Sequence, residues 1–393
     1  MNQPTFQPRP PFEPGETAAW WLIPDRFFDG EEIREGLALR IADGRVERIA
    51  PASDAGKDAA PVWHAGGLLS PGYFDLQVNG GGGVLYNATP TPEGLYAIAA
   101  AHRATGTTAI LPTFITDTAD ALDRAVDAML VAHGRNGVAG MHIEGPHISV
   151  ERKGTHNRDY IRPIDARTFA SVERLRAAKV PVLLTLAPEV NPAGSVAKLV
   201  AMGVVVSIGH SNGDAKSTRQ AIAEGARSAT HLYNAMTPMQ SREPGVVGAA
   251  LDSDLYCGFI ADGHHVDDAV LRLAFRSRPV EDRMVLVSDA MPTWNGPDHF
   301  TLYGETIFLK DGKLVNAAGA LAGVHIDMAA SVRRLVRDVG LPLKDVLRAA
   351  TANPARLMGL EDRIGLLKPG HPFDAVLLDA DLRATVLDTQ ISP

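Results

Sequence analysis

The feature that most constrains this chain is an alternation. Apolar runs with strand character begin near Tyr73, Thr107, Val138, Pro181, Gly203, Ala226, Tyr256 and Arg283. Helix-like stretches separate them, among them Pro92–Ala104, Thr118–His133, Ala166–Lys179, Gly213–Glu224 and Asp267–Ser277. Strands joined through helices pair in parallel, because the crossover carries the chain back to the starting edge. Eight such units in one stretch predict a (β/α)₈ TIM barrel of about 250 residues. An open, doubly wound sheet is the structural alternative. After the eighth strand, Phe300–Val315 reads as a hairpin insertion with Asp311-Gly312 as its turn.

The ends have another texture. Trp20 to Leu69 carries short strand-like pieces, such as Leu37–Ile41 and Arg45–Ile49, joined by turn signals such as Asp43-Gly44. The same texture returns from Ile364 to Leu387. The expected organisation is a small β-sandwich domain from both ends (17–70 and 359–393), a barrel over 71–358 with its insertion near 300–316, and a flexible proline-rich tail over 1–16. A length of 393 residues suits two or three domains, or one large barrel with an appendage.

Composition removes several function classes. Lys+Arg 38 against Asp+Glu 46 gives a net charge of −8, which argues against a general nucleic-acid binder. No apolar stretch approaches the length of a membrane span. The first residues lack the basic segment and apolar run of a signal peptide. The single cysteine, Cys257, excludes an intramolecular disulfide and a multi-cysteine metal site. The expectation is a cytoplasmic protein with neither nucleic-acid nor membrane partners.

A barrel places its working residues where strands end. Strand one ends in Asp75-Leu76-Gln77-Val78-Asn79 followed by four glycines, strand three in His142-Ile143-Glu144-Gly145-Pro146, and strand five in Gly209-His210-Ser211. Strand six ends in Thr230-His231-Leu232-Tyr233-Asn234, strand seven in Ala261-Asp262-Gly263-His264-His265, and strand eight in Ser288-Asp289-Ala290. Glu144, His210 and His231 thus bring one carboxylate and two imidazoles to one mouth, with a fourth position open, which is the ligand set of a catalytic zinc site. Iron, cobalt or manganese suit similar ligands. Any one of these histidines alone reads as structural; the coincidence of three groups carries the argument. Asp289 reads equally as a proton-transfer carboxylate beside the metal or as a cap for the following segment.

These stretches, taken in order with Lys153-Gly154-Thr155-His156-Asn157 and Ser241-Arg242-Glu243-Pro244-Gly245, resemble the N-acetylglucosamine-6-phosphate deacetylases of the amidohydrolase superfamily over nearly the whole chain. The resemblance implies a barrel with a small β-sandwich, and one divalent metal on Glu144, His210 and His231. It implies an acid/base role for Asp289 and a carbonyl-polarising role for His156. It implies a phosphorylated N-acetyl amino sugar held by Asn234, Ala235, Arg242 and His265. It also implies a homodimer in which Arg242 reaches the neighbouring subunit's site. The bland readings are a solvated surface residue for Arg242 and a loop histidine for His156. At most one of His264 and His265 should face the site, because alternate residues of an extended chain point opposite ways.

Two departures qualify the resemblance. Many amidohydrolases carry His-x-His at the end of strand one, and this chain has Gln77-Val78-Asn79. Neutral amides are poor zinc ligands, so one metal is expected rather than two. Val324 stands where a serine is usual, and it offers no hydroxyl. This bears on substrate choice, as does the idiosyncratic loop Met291-Pro292-Thr293-Trp294-Asn295-Gly296, read as a lid. The expected reaction is deacetylation of N-acetylglucosamine 6-phosphate to acetate and glucosamine 6-phosphate. The alternatives are the N-acetylgalactosamine 6-phosphate epimer and a catalytically silent scaffold.

Overall fold

The computed structural model describes residues 6–11 and 19–387. Eight short strands, nearly all of whose residues are buried, form one parallel sheet. In chain order they are Tyr73–Val78, Thr107–Ile115, Met141–Glu144, Val182–Leu186, Val205–Ile208, Ser228–Ala229, Tyr256–Phe259 and Met284–Leu286. Each pairs with its sequence neighbour in parallel. A parallel bridge between Val78 and Ala290 brings the eighth back to the first. Asp289 N–H donates to Gln77 O at 2.9 Å and Asn79 N–H to Ala290 O at 3.0 Å, so this seam lies at the mouth. The observed architecture is the expected barrel.

Helices pack outside the strands, and their starts are set by side-chain caps. Thr118 Oγ1 accepts from Ala121 N–H, Asp165 from Thr168 N–H, and Asp327 from Ala330 N–H. Each cap satisfies a donor that the first helical turn leaves free. The apolar faces of these helices merge with the outer strand residues in one large core. A second cluster, including Phe74, Leu76, Leu111, Leu183, Val285 and Val287, packs with Leu357 and Met358 of the helix Ala352–Met358.

Two further sheets flank the barrel. One pairs Arg45–Pro51, Leu37–Ala42, Ala19–Ile23 and Val62–His64; the other pairs Ala384–Leu387, Ala375–Leu378, Leu68–Pro71, Arg26–Phe28 and Ile33–Glu35. Both chain ends therefore contribute. Trp20, Leu22, Leu39 and Trp63 of the first sheet share a core with Phe27, Leu69, Ala375 and Leu377 of the second. Two sheets burying one apolar layer make a sandwich. The expected tail over 1–16 falls largely outside the described residues. Its described part is tied down, with Gln7 N–H donating to Ala65 O at 2.8 Å and Phe6 packed on the sandwich core.

The insertion differs from the expected hairpin. It is a three-stranded meander of His299–Leu302, Glu305–Lys310 and Lys313–Val315. Asp311-Gly312 does form a turn, with both φ values positive at 50° and 76°. Tyr303-Gly304 forms a second turn of the same kind, at 50° and 83°. Tyrosine rarely adopts positive φ, so sequence chemistry hides that turn.

Candidate active site

The strand ends place the polar side chains in one depression. A cavity of about 200 Å³ is lined by Glu144, His156, His210, His231, His265 and Asp289, together with Asn79, Asn234 and Ala235. At its floor Glu144 Oε1 lies 3.2 Å from His210 Nε2 and 3.0 Å from His231 Nε2, and the two Nε2 atoms are 3.0 Å apart. All three residues are buried.

This cluster suits a cation. His210 Nδ1 donates to the Arg152 carbonyl at 2.7 Å. A carbonyl only accepts, so Nδ1 carries the proton and Nε2 of the neutral ring presents a lone pair. That lone pair faces a carboxylate oxygen and a second imidazole nitrogen. Acceptor facing acceptor is relieved by a proton or by a metal ion. Three ligands tetrahedrally arranged around zinc lie about 3.3 Å apart, close to the observed separations. The residues present therefore fit a divalent metal.

Electrostatics follows from burial and proximity. Burial opposes ionisation of Glu144, but hydrogen bonds to His210 and His231 outweigh it and hold the carboxyl well below its ordinary value. Burial likewise opposes a charge on His231, and Glu144 outweighs it and raises that imidazole. Burial pushes Asp289 up to about 7, with the Glu144 charge adding to the rise. Burial, with His210 adjacent, lowers His156 to about 3, so its ring is neutral.

Gln77 and Asn79 occupy the place of the missing His-x-His and act as donors. Gln77 Nε2 bridges Glu144 Oε1 and Asp289 Oδ1, each at 3.1 Å. Asn79 Nδ2 reaches Asp289 Oδ1 at 2.6 Å. The two amides therefore hold two carboxylates in register. The backbone is strained at the same points: φ is positive at His210 (48°), His231 (31°) and Asp289 (53°). Such conformations cost about 1–3 kcal/mol each and persist where the surroundings enforce them. The glycine loop supplies part of that enforcement. A Cβ on Gly80 would lie 2.3 Å from Val84 O and 2.9 Å from Pro292 Cδ, so only glycine lets the two loops pack.

The remaining expected residues divide. Asn234 and Ala235 line the cavity, but no helix starts there; the next begins at Gly245. The backbone instead has positive φ at Tyr233 (77°) and Ala235 (50°), and the Asn234 N–H is taken by the His231 carbonyl at 3.0 Å. His265 lines the cavity with Nδ1 on Asp262 Oδ2 at 2.7 Å, while His264 is exposed. Arg242 is exposed and does not line this cavity of its own chain. Val324 is fully buried in the apolar cluster, and Leu321 and Gly323 provide the cavity wall instead. The Trp294 loop is packed rather than free: the Trp294 carbonyl accepts from Gly82 N–H at 2.7 Å, and Asn295 Nδ2 donates to Ala101 O at 2.8 Å.

Thr116 is a residue the sequence reading passed over. Its Oγ1 meets His156 Nδ1 at 2.6 Å. It directly follows the second strand, so the strand-end argument applied to strand two would have found it. Gly145 makes room for it, since a Cβ there would lie 2.2 Å from Thr116 Oγ1.

Residues 68–391 match the amidohydrolase family. The N-acetylgalactosamine-6-phosphate deacetylase of Shewanella sp. strain ANA-3 is 37% identical over 357 residues, covering 89% of this chain and 90% of that protein. The N-acetylglucosamine-6-phosphate deacetylase of Haemophilus influenzae is 35% identical over 348 residues, covering 86% of this chain and 90% of that protein. A variant of the Mycobacterium smegmatis N-acetyl-D-glucosamine-6-phosphate deacetylase, solved in complex with N-acetyl-D-glucosamine 6-phosphate, superposes with a TM-score of 0.86 at 32% identity, covering 95% of this chain and 98% of that one. With these matches and the eight-stranded barrel, the chain belongs to the amidohydrolase family.

Proposed function

We propose that this chain removes the acetyl group from N-acetylglucosamine 6-phosphate, releasing acetate and glucosamine 6-phosphate. The observation that carries the reading is the buried convergence of Glu144, His210 and His231 with Asp289 beside it, tied to Glu144 through Gln77. Glu144, His210 and His231 would hold one divalent ion, with zinc the best match to two nitrogens and one oxygen. When bound, the ion supplies Lewis-acid charge to the acyl oxygen and activates water.

The chain's own residues do the rest. Asp289 takes the proton of the attacking water and delivers it to the departing amine nitrogen. A carboxyl titrating near neutrality exchanges protons in both directions. Asp289 faces the Glu144 carboxylate, whose charge adds to its rise, and would move toward the base form once that charge is neutralised. His156 completes the acyl subsite. His156 Nδ1 and the Thr116 hydroxyl share a hydrogen bond, and in the tautomer in which the hydroxyl donates, the imidazole proton on Nε2 would be available to the developing oxyanion. The Asn234 side chain and the Ala235 N–H, with His265, would bind the sugar phosphate. The exposed Arg242 would serve a neighbouring subunit in a homodimer, where its planar fork suits a phosphate. The single cysteine, Cys257, free and buried, supports a cytoplasmic location.

The galacto epimer is the second reading, favoured by the 37% identity to the Shewanella protein. The two sugars differ in the orientation of one hydroxyl. Measuring kcat/KM for acetate release from both 6-phosphates decides between them. A ratio above about tenfold for the gluco sugar supports the proposal, and the inverse ratio selects the epimer. Release from neither by metal-loaded protein overturns both.

A further inference from the structure

Beneath the three converging ligands runs a chain of buried hydroxyls. Ser207 Oγ lies 2.6 Å from Thr230 Oγ1, and Thr230 Oγ1 lies 2.7 Å from Thr185 Oγ1. Thr185 Oγ1 lies 2.8 Å from His142 Nε2, and His142 Nδ1 lies 3.1 Å from Thr113 Oγ1. Thr113 Oγ1 also accepts the Val78 N–H at 2.9 Å and faces the Leu111 carbonyl at 3.4 Å. All five side chains are buried. They stand on, or directly after, the fifth, sixth, fourth, third and second barrel strands, and Val78 adds the first. Inner layers of such barrels are normally filled by branched apolar side chains, so this polar layer calls for a cause.

Proton bookkeeping gives the chain a direction. Each hydroxyl has one proton to give, and a neutral imidazole has one N–H and one lone pair. A buried proton needs an acceptor, and a cavity of about 10 Å³ against His142, Ser207 and Thr230 is the size of one water at most. The order Ser207 to Thr230 to Thr185 to His142 Nε2, then His142 Nδ1 to Thr113 to the Leu111 carbonyl, provides one for every proton. The reverse order leaves the Ser207 proton without a protein acceptor among the described residues. The order that serves every proton within the protein gives His142 an Nδ1–H and a bare Nε2.

We infer that this belt positions the metal ligands, with His142 as its centre. The inference rests on the metal site proposed above. His142 stands two residues before Glu144 on the same strand face, Thr230 directly precedes His231, and Ser207 precedes His210 by three. The imidazole spans from strand two to strand four across its own strand, which no aliphatic side chain does with directional bonds. His210 and His231 sit in strained backbone, at φ 48° and 31°, and strained ligands need a rigid support below them.

The test is Thr185→Val, which removes the central hydroxyl at nearly constant volume, with Thr185→Ser as the conservative variant. The expected result for the valine variant is a zinc affinity about tenfold weaker in chelator competition, with kcat reduced and KM unchanged. The serine variant restores both. Nitrogen NMR of histidine-labelled wild-type protein, assigned by comparison with His142→Gln, reports a protonated Nδ1 and a bare Nε2. A valine variant that binds zinc and turns over like wild type overturns the inference, as does one that changes only the melting temperature. An Nε2–H signal for His142 also overturns it. Zinc affinity is read without substrate, so a wrong sugar assignment leaves this test intact. Wild-type protein that takes up no zinc overturns the metal site and the inference together.

Discussion

In the sandwich, Trp20 meets Trp63 at a ring separation of 5.9 Å and Phe373 edge-on at 5.7 Å. The residues around them are apolar, among them Leu22, Leu39, Phe27, Leu69 and Leu377. At the barrel mouth the inventory is reversed. Glu144, Asp289 and four imidazoles line one cavity, and three of these residues have positive φ. The sandwich gains stability from area removed from water, about 25 cal/mol per Å² of apolar surface. The mouth gives stability up, since buried charge and strained backbone both oppose folding. The difference assigns the two regions their work: one holds the chain ends together, and the other holds chemistry ready.

That contrast is testable in order of effect. Asp289→Asn keeps the acceptor that Gln77 and Asn79 bond and removes the proposed proton carrier. It should lower kcat about a thousandfold while the melting temperature holds or rises. Retained turnover with metal bound would show that the mouth does not work as described. Trp63→Ala should do the opposite. Urea unfolding should report a loss of about 3–5 kcal/mol, with kcat per folded molecule unchanged. A large loss of kcat in that variant would break the separation of roles.

His102 sharpens the comparison, because it is a buried polar group behind the glycine loop rather than in the mouth. Its Nε2 bonds Gly80 O at 2.9 Å. Burial lowers its pKa to about 4, against the opposing effect of that hydrogen bond. Between about pH 6.5 and 4 the unfolded chain carries the proton and the folded chain does not. Stability from this residue is complete above about pH 6.5 and is lost as pH falls through that window, by up to about 3 kcal/mol. His142, His147 and His156 act in the same direction, so the reading is a difference. Urea titrations of wild type and His102→Gln at pH 7.5 and 5 should show a shallower pH slope in the variant. Equal slopes would contradict the buried neutral ring. The smallest effect is expected from Arg242→Ala: KM for the phosphosugar should rise about tenfold with kcat nearly constant, as steady-state kinetics would show.

The barrel was legible because its signal is periodic. Eight apolar runs separated by helical stretches leave little choice, and all eight strands are present. Boundaries were less legible. The third strand was expected from Val138, yet it starts at Met141, and Val138 contributes only a bridge to Ile110. A Cβ on Gly140 would lie 2.4 Å from Pro181 O, a close approach that no local propensity records. The strand-end rule led to the mouth residues now found together, but it was not applied to strand two, and Thr116 was missed. The second departure from the family pattern proved spatially indirect. Val324 differs from the usual serine, yet its side chain lies in the core and the cavity wall comes from its neighbours. The His142 belt was illegible for another reason. Its members are single threonines and serines inside apolar runs, and only the pairing of five strands shows that they touch.

The most direct test of the account is acetate release from N-acetylglucosamine 6-phosphate by chelator-stripped protein before and after zinc is returned. The account predicts no release from stripped protein, rapid release on reloading, and none from reloaded Asp289→Asn. Zinc-independent release, or a folded and zinc-loaded wild-type protein that releases no acetate, would contradict it.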